Sequence, residues 1–182
     1  MSLFLFLSQL LNGLLDGFYY LLIAIGLSLI FSLGGIVNLA HGAFFAIGAY
    51  LAIVISPYTG FFGAVLLVPL IVAGLGMVTE RLLFTRFYRA DPLYSLLLTF
   101  GLAMVIEQSL RWAFGSAPLA YSIPDALRGQ VFLGDFIYSR YRIFLIVVAI
   151  AAVAGLWFLL NRTAFGRIVR AGIQNPDILA AM

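Results

Sequence analysis

No cysteine and no lysine occur among the 182 residues, and histidine occurs once. Without cysteine there is no disulfide framework and no thiolate metal site. His41 has neither a nucleophile nor a metal-ligand set beside it, so no catalytic residue, metal or cofactor is expected. Charged residues make up only 9% of the chain, against roughly 25% in a soluble domain, which argues against a water-soluble fold. All ten basic residues are arginines, and they sit at the ends of apolar runs. The net charge of +3 therefore reads as a topology signal and not as a nucleic-acid footprint. The first eleven residues carry no basic n-region and no small-residue cleavage site, so they read as the lead-in to a span rather than as a signal peptide.

What the chain does have is apolar length. Hydrophobic residues make up 64% of it, and the mean hydropathy is +1.15. The apolar runs are continuous instead of alternating, which excludes a transmembrane barrel and points to helices. The expected fold is all-α, a multi-pass helical protein of the lipid bilayer. About five stretches have the length needed to cross ~30 Å of hydrocarbon: 14–33, 36–55, 61–78, 93–114 and 143–160. Pro57 and Gly60 predict a tight connection between the second and third, and Pro92 after Asp91 fits the first turn of the fourth. Arg81, Arg86 and Arg89 share one short loop, and Arg162, Arg167 and Arg170 follow the fifth span, so both clusters are expected to face the cytoplasm. The loop at about 115–142 then faces outward, although it carries Arg128, Arg140 and Arg142. The N-terminus lies outside if 36–55 crosses fully, and in the cytoplasm if that segment re-enters. Tyr121, Phe132, Phe136, Tyr138 and Tyr141 suit a loop lying in the headgroup zone, or a docking epitope for a partner.

The stretch from Gly34 to Gly42 interrupts two apolar segments with Gly34, Gly35, Asn38, His41 and Gly42. A helix broken inside a membrane frees backbone groups that lipid cannot satisfy, so the break must be buried in protein or line a wet cavity. Asn38 and His41 share a face if the segment is helical. Two readings stay open: the side chains only cap the helix ends, with Asn38 as an N-cap, or the break also lines a solute pathway. Gly42, Ala46 and Ala49, and separately Gly13 and Gly17, have the spacing of helix-packing faces. Asp16 and Glu107 are assigned to interface positions, so no proton relay is expected. After Arg170, Asn175 and Pro176 predict the start of a short helix with Ile178, Leu179 and Met182 on its apolar face.

The stretch Gly35-Ile36-Val37-Asn38-Leu39-Ala40-His41-Gly42 through Tyr50 resembles the signature of the inner-membrane permeases of branched-chain amino acid ABC transporters, closer to the first permease type than to its partner. The stretch from Phe165-Gly166-Arg167 to Ala180-Ala181-Met182 is similar to the cytoplasmic coupling segment of the same family. The resemblance covers the whole chain. It implies a single transmembrane permease domain over 1–182, with a coupling segment at 161–182. It also implies a plasma (inner) membrane location in a bacterium or archaeon, and ATP-driven import of leucine, isoleucine, valine or a related small amino acid or amide. The implied partners are a second permease subunit, two cytoplasmic ATPases and an extracytoplasmic solute-binding protein, with ATP hydrolysis outside this chain. On this reading Gly34, Gly35, Asn38, His41 and Gly42 belong to the substrate pathway, and Arg162, Arg167, Arg170 and Asp177 dock the ATPase. Members of the family continue past the coupling segment into roughly three more spans. The chain is thus expected to be an N-terminal portion: a truncated product, an incomplete reading frame or a split gene. An ion-coupled secondary transporter and a non-transporting membrane scaffold or remnant are the alternatives.

Overall fold

The computed structural model describes residues 3–34, 37–87, 91–121, 123–133 and 136–174. Its elements in chain order are α1 (Leu3–Gly34), α2 (His41–Leu82), α3 (Pro92–Phe114), β1 (Gln130–Leu133), β2 (Phe136–Ser139), α4 (Arg140–Arg162) and α5 (Ala164–Gln174). Four of the helices among the described residues are long and apolar enough to cross a membrane. Two compact units result: Gly34–Ser122, and Met1–Leu33 together with Ile123–Met182.

In the first unit, α2 is two crossings in one element. Gly60 leaves the helical region at φ 72°, ψ 171°, a conformation that glycine adopts without the Cβ clash other residues meet. The halves fold back on each other there: a Cβ built on Gly48 would lie 3.7 Å from Val72 Cγ2 and 3.9 Å from Val68 Cγ1. Gly48 and Val72 are each twelve residues from Gly60, so the hairpin is symmetric about it. Each half, residues 41–59 and 61–82, has about 20 residues, the length of one crossing. The second and third expected spans are therefore both present, joined at the predicted place. Pro57 has no N–H for the carbonyl of Ile53, and the Ser56 hydroxyl donates to that oxygen instead, at 3.4 Å. The turn 84–86 carries buried Phe84 and leaves Arg81 and Arg86 exposed, while Arg89 lies outside the described residues. Asp91 N-caps α3, accepting the Leu93 N–H at 2.9 Å, with Pro92 in the first turn as its sequence requires.

In the second unit, β1 and β2 form an antiparallel hairpin, Gln130 opposite Ser139 and Leu133 opposite Phe136. The loop read from the sequence as lying in the headgroup zone, or as a docking epitope, thus contains a two-stranded sheet. Tyr138 is buried, and its hydroxyl donates to Asn12 Oδ1 on α1 at 3.0 Å. The Arg142 guanidinium donates to the same oxygen. Asn12 thus ties the strand and the start of α4 to α1. Gly13 and Gly17 have open space around them, so the packing expected of their spacing finds no partner among the described residues.

Few side chains are buried, and large apolar ones cover the helices: Leu66, Leu70 and Leu97 are exposed. In water such surface is a liability, but in a bilayer it is the lipid face.

Candidate functional site

α1 ends at Gly34, Gly35 lies outside the described residues, and α2 begins at His41. Between them the described backbone runs through a short non-helical stretch and a turn at 39–40. Several of the polar groups that this frees meet partners nearby. Asn38 Oδ1 accepts the Ala40 N–H at 3.0 Å, the Asn38 carbonyl accepts the His41 N–H at 3.2 Å, and the Ala40 carbonyl accepts the Phe44 N–H at 3.0 Å. From α3, the Thr99 hydroxyl donates to the Val37 carbonyl at 3.2 Å, with the Leu96 carbonyl in its own helix at 3.1 Å. Asn38 is 7% exposed, Ala40 0% and Thr99 0%, so their bonds stand in for water on the protein side of the turn, while Val37 and Leu39 beside them are exposed. Asn38 acts by a local side-chain turn on the residue two ahead, and Ala40, not Asn38, occupies the N-cap position of α2. Asn38 and His41 do not share a helical face, because the helix starts only at His41. Ser95, one turn before Thr99, is buried and has no hydrogen-bond partner among the described residues.

The break lies alongside the apolar length of α3. Thr99 is seven residues beyond Pro92, about 10 Å along α3 at 1.5 Å per residue. The first half of α2 runs parallel to α3: Val37 meets Thr99 at one end, and the Tyr50 and Phe114 rings lie 4.7 Å apart at the other. Tyr58 and Trp112, 87% and 89% exposed, come near the ends of these two parallel segments. Such rings favour the headgroup layer.

Between the two segments lies a cavity of about 580 Å³, within the range of about 300–1,000 Å³ for small-molecule sites. Gly42, Ala43, Ala46 and Tyr50 line it from α2; Ala103, Ile106, Glu107, Leu110 and Arg111 line it from α3. It extends from Leu39, in the turn at the break, to Gly115 and Ser116 beyond the end of α3. Glu107 and Arg111 pair across one helical turn, Oε1 to Nη2 at 2.6 Å. Of the expected pathway residues, Gly42 lines this cavity, Asn38 is buried in the turn before it, His41 is half-buried at the start of α2, and Gly34 closes α1.

The residues expected to dock an ATPase gather at the junction of α4 and α5, in the other unit. Thr163 ends α4 and N-caps α5, accepting the Gly166 N–H at 3.2 Å. A Cβ on Gly166 would overlap the Leu160 carbonyl and sit 2.6 Å from that of Leu159, so only glycine lets the two helices meet this closely. The Arg170 guanidinium donates to the Leu160 carbonyl and lies 3.5 Å from Asn161 Oδ1, closing the last turn of α4 as a cation suits a helix C-terminus. Arg162 and Arg167 are exposed. Asp177, and the short helix predicted after Pro176, lie outside the described residues.

Three features of these sites escaped the reading of the sequence. Glu107 was assigned to an interface position and its pairing with Arg111 was not foreseen, although their i, i+4 spacing inside an apolar span was the available signal. Ala46 was assigned to helix packing alone, whereas it lines the cavity beside Gly42, and Gly48 packs against the second half of α2. Thr99 carries no local signal, because its partner Val37 is 62 residues away.

Residues 9–182 match the family model described as branched-chain amino acid transport system / permease component. The chain is 27% identical over 201 residues to the high-affinity branched-chain amino acid transport system permease protein BraD of Pseudomonas aeruginosa, which covers 96% of this chain and 65% of BraD. It is 26% identical over 189 residues to the corresponding permease protein LivH of Escherichia coli K12, covering 93% of this chain and 59% of LivH. The LivH of Salmonella typhimurium is 27% identical over 144 residues, or 71% of this chain and 45% of that protein. The chain thus spans less than two thirds of the length of each of these relatives. All three are named as permease proteins of a transport system and not as enzymes. No solved structure matches.

Proposed function

Because this chain belongs to the family of branched-chain amino acid transport permease components, we propose that it is the membrane-spanning permease subunit of an ATP-driven importer of leucine, isoleucine, valine or a related small amino acid or amide. The observation that carries the proposal is the helix break: a non-helical segment about 10 Å inside a span, satisfied by Asn38 and Thr99, at one end of a cavity lined by small residues. Irregular backbone at such depth is tolerated where it is sheltered by protein and faces a polar route. Gly34, Gly35, Asn38, His41 and Gly42 form the pathway break in this proposal, with Asn38 holding its shape and Gly42 leaving room beside it. The membrane is the plasma membrane of a bacterium or archaeon, and residues 1–182 act as one permease domain.

The partners are a second permease subunit, two cytoplasmic ATPases and an extracytoplasmic solute-binding protein. ATP binding can shift the permease between two conformations only through contacts that differ between them. Arg162, Arg167, Arg170 and Asp177, within the coupling segment 161–182, supply those contacts by docking. The Thr163 cap and the Gly166 contact support this role, since a tightly joined α4–α5 corner passes a push on α5 to a membrane-spanning helix.

The test is leucine uptake by the reconstituted transporter. Accumulation driven by ATP and indifferent to a proton ionophore is expected. Uptake that survives ATP depletion and collapses with the ionophore would identify an ion-coupled carrier instead. Failure of the chain to bring down ATPase subunits from detergent extracts would favour a non-transporting scaffold. Cysteines placed at Arg86 and Arg167 should react with an impermeant reagent from the cytoplasmic side only; reaction from outside alone would overturn the orientation.

A further inference from the structure

Glu107 stands seven residues before the end of α3, about 10 Å inside that end, where a charge is costly unless it is paired or has work to do. It is paired, with Arg111 at 2.6 Å, but both side chains remain more than half exposed, 63% for Glu107 and 56% for Arg111. The two heads line the same cavity as Gly42, Ala43 and Ala46, three residues whose side chains leave space.

We infer that this cavity is a binding subsite for a zwitterionic α-amino acid with an apolar side chain, with Arg111 taking the carboxylate and Glu107 the ammonium group. The inference rests on the permease reading above and adds which atoms recognise the solute. The exchange conserves charge: two opposite heads that face each other in the empty cavity each accept the opposite head of the solute. No net charge is brought into the span, and no side chain has to change protonation. The guanidinium can hold a carboxylate through two parallel N–H···O bonds. The branched side chain then lies along Ala43, Ala46 and Ile106, away from the charges. A solute lacking either head leaves one member of the pair without its new partner, so the α-amide and the deaminated acid are both excluded.

The natural chain has no cysteine, so Ala46→Cys places a single reporter inside the cavity. In the assembled transporter, a water-soluble thiol reagent should label it, and leucine should slow the labelling. Leucinamide and 4-methylpentanoate should not. Glu107→Gln and Arg111→Gln should each raise the leucine concentration needed for protection by about ten- to hundred-fold, the range for losing one charge-assisted hydrogen bond, and the double variant, which loses two, by at least as much. The double variant leaves no unpaired charge, so it guards against a failure of folding in the single ones. Labelling that leucine does not slow, or slows equally in the double variant, overturns the inference. Absence of labelling also overturns it, by showing that protein or lipid fills the space. ATP-driven leucine uptake by the same preparation separates the two levels: uptake without protection removes only the subsite, and no uptake removes the permease reading with it.

Discussion

Replacing Thr99 with valine removes one hydroxyl and almost no volume, which makes it the sharpest probe of how the break is held. The hydroxyl has a single proton to give, shared between the Val37 carbonyl at 3.2 Å and the Leu96 carbonyl at 3.1 Å. Leu96 loses nothing essential, because its carbonyl still has the helical N–H four residues on. Val37 lies outside any helix, and no other donor to its carbonyl is present among the described residues. Thr99 is 0% exposed but Val37 is 40% exposed, so the loss is that of one net hydrogen bond, about 0.5–1.5 kcal/mol. For a chain of this length that corresponds to roughly 1–6 °C in apparent melting temperature. The assay is thermal unfolding in nanodiscs beside leucine uptake by the same preparation. Thr99→Val should lower both, while Ser95→Ala, one turn away and equally buried, should lower neither, since its hydroxyl bonds nothing among the described residues. A Thr99→Val protein as stable as the parent, or a Ser95→Ala protein that is the weaker of the two, would refute the argument.

Other expectations follow from the same geometry. Asn38→Leu should insert into the membrane normally yet lose most uptake, because the Ala40 N–H is orphaned, and Asn38→Asp, which keeps the acceptor, should recover part of it; full uptake by the leucine variant would mean that the break only packs. Gly166→Ala should cost about 1–3 kcal/mol by overpacking and speed tryptic cleavage after Arg167; unchanged cleavage would deny the tight α4–α5 corner. Arg167→Glu should weaken co-purification of the ATPase about tenfold or more without changing stability, whereas Arg170→Glu should reduce both, because Arg170 also closes α4. Equal behaviour of the two variants would separate docking from capping in neither, and would remove the distinct role given to Arg170.

What could be read from the chain was what short segments decide for themselves. Gly34, Gly35 and Asn38 interrupt an apolar run, Pro57 and Gly60 turn the chain back, and Asp91-Pro92 starts a helix; each signal is complete within a few residues. The hairpin at 130–139 was missed because its aromatic residues were read only for their liking of the headgroup layer, although Gly134-Asp135 between two short apolar segments was a turn signal. Beyond Gly42, the cavity was not legible. Gly42 and Ala46 record an absence of bulk, and whether a helix or a solute occupies that space depends on which segment lies opposite. That neighbour is α3, fixed by Thr99 meeting Val37 and Phe114 meeting Tyr50, contacts over long separations with no sequence period. Glu107 and Arg111 line the cavity for the same reason: their helix face acquires meaning only from what it faces.

The claim at the centre of the account is that the turn at residues 39–40 opens on water although it lies within the span. Leu39 lines the cavity and Leu97 is exposed on α3, so a nitroxide at each, in an otherwise cysteine-free chain, makes a direct comparison in one bilayer. Relaxation by a water-soluble nickel chelate should exceed relaxation by oxygen at position 39, with the reverse at position 97. Oxygen-dominated relaxation at both positions would put the break against acyl chains and contradict the account.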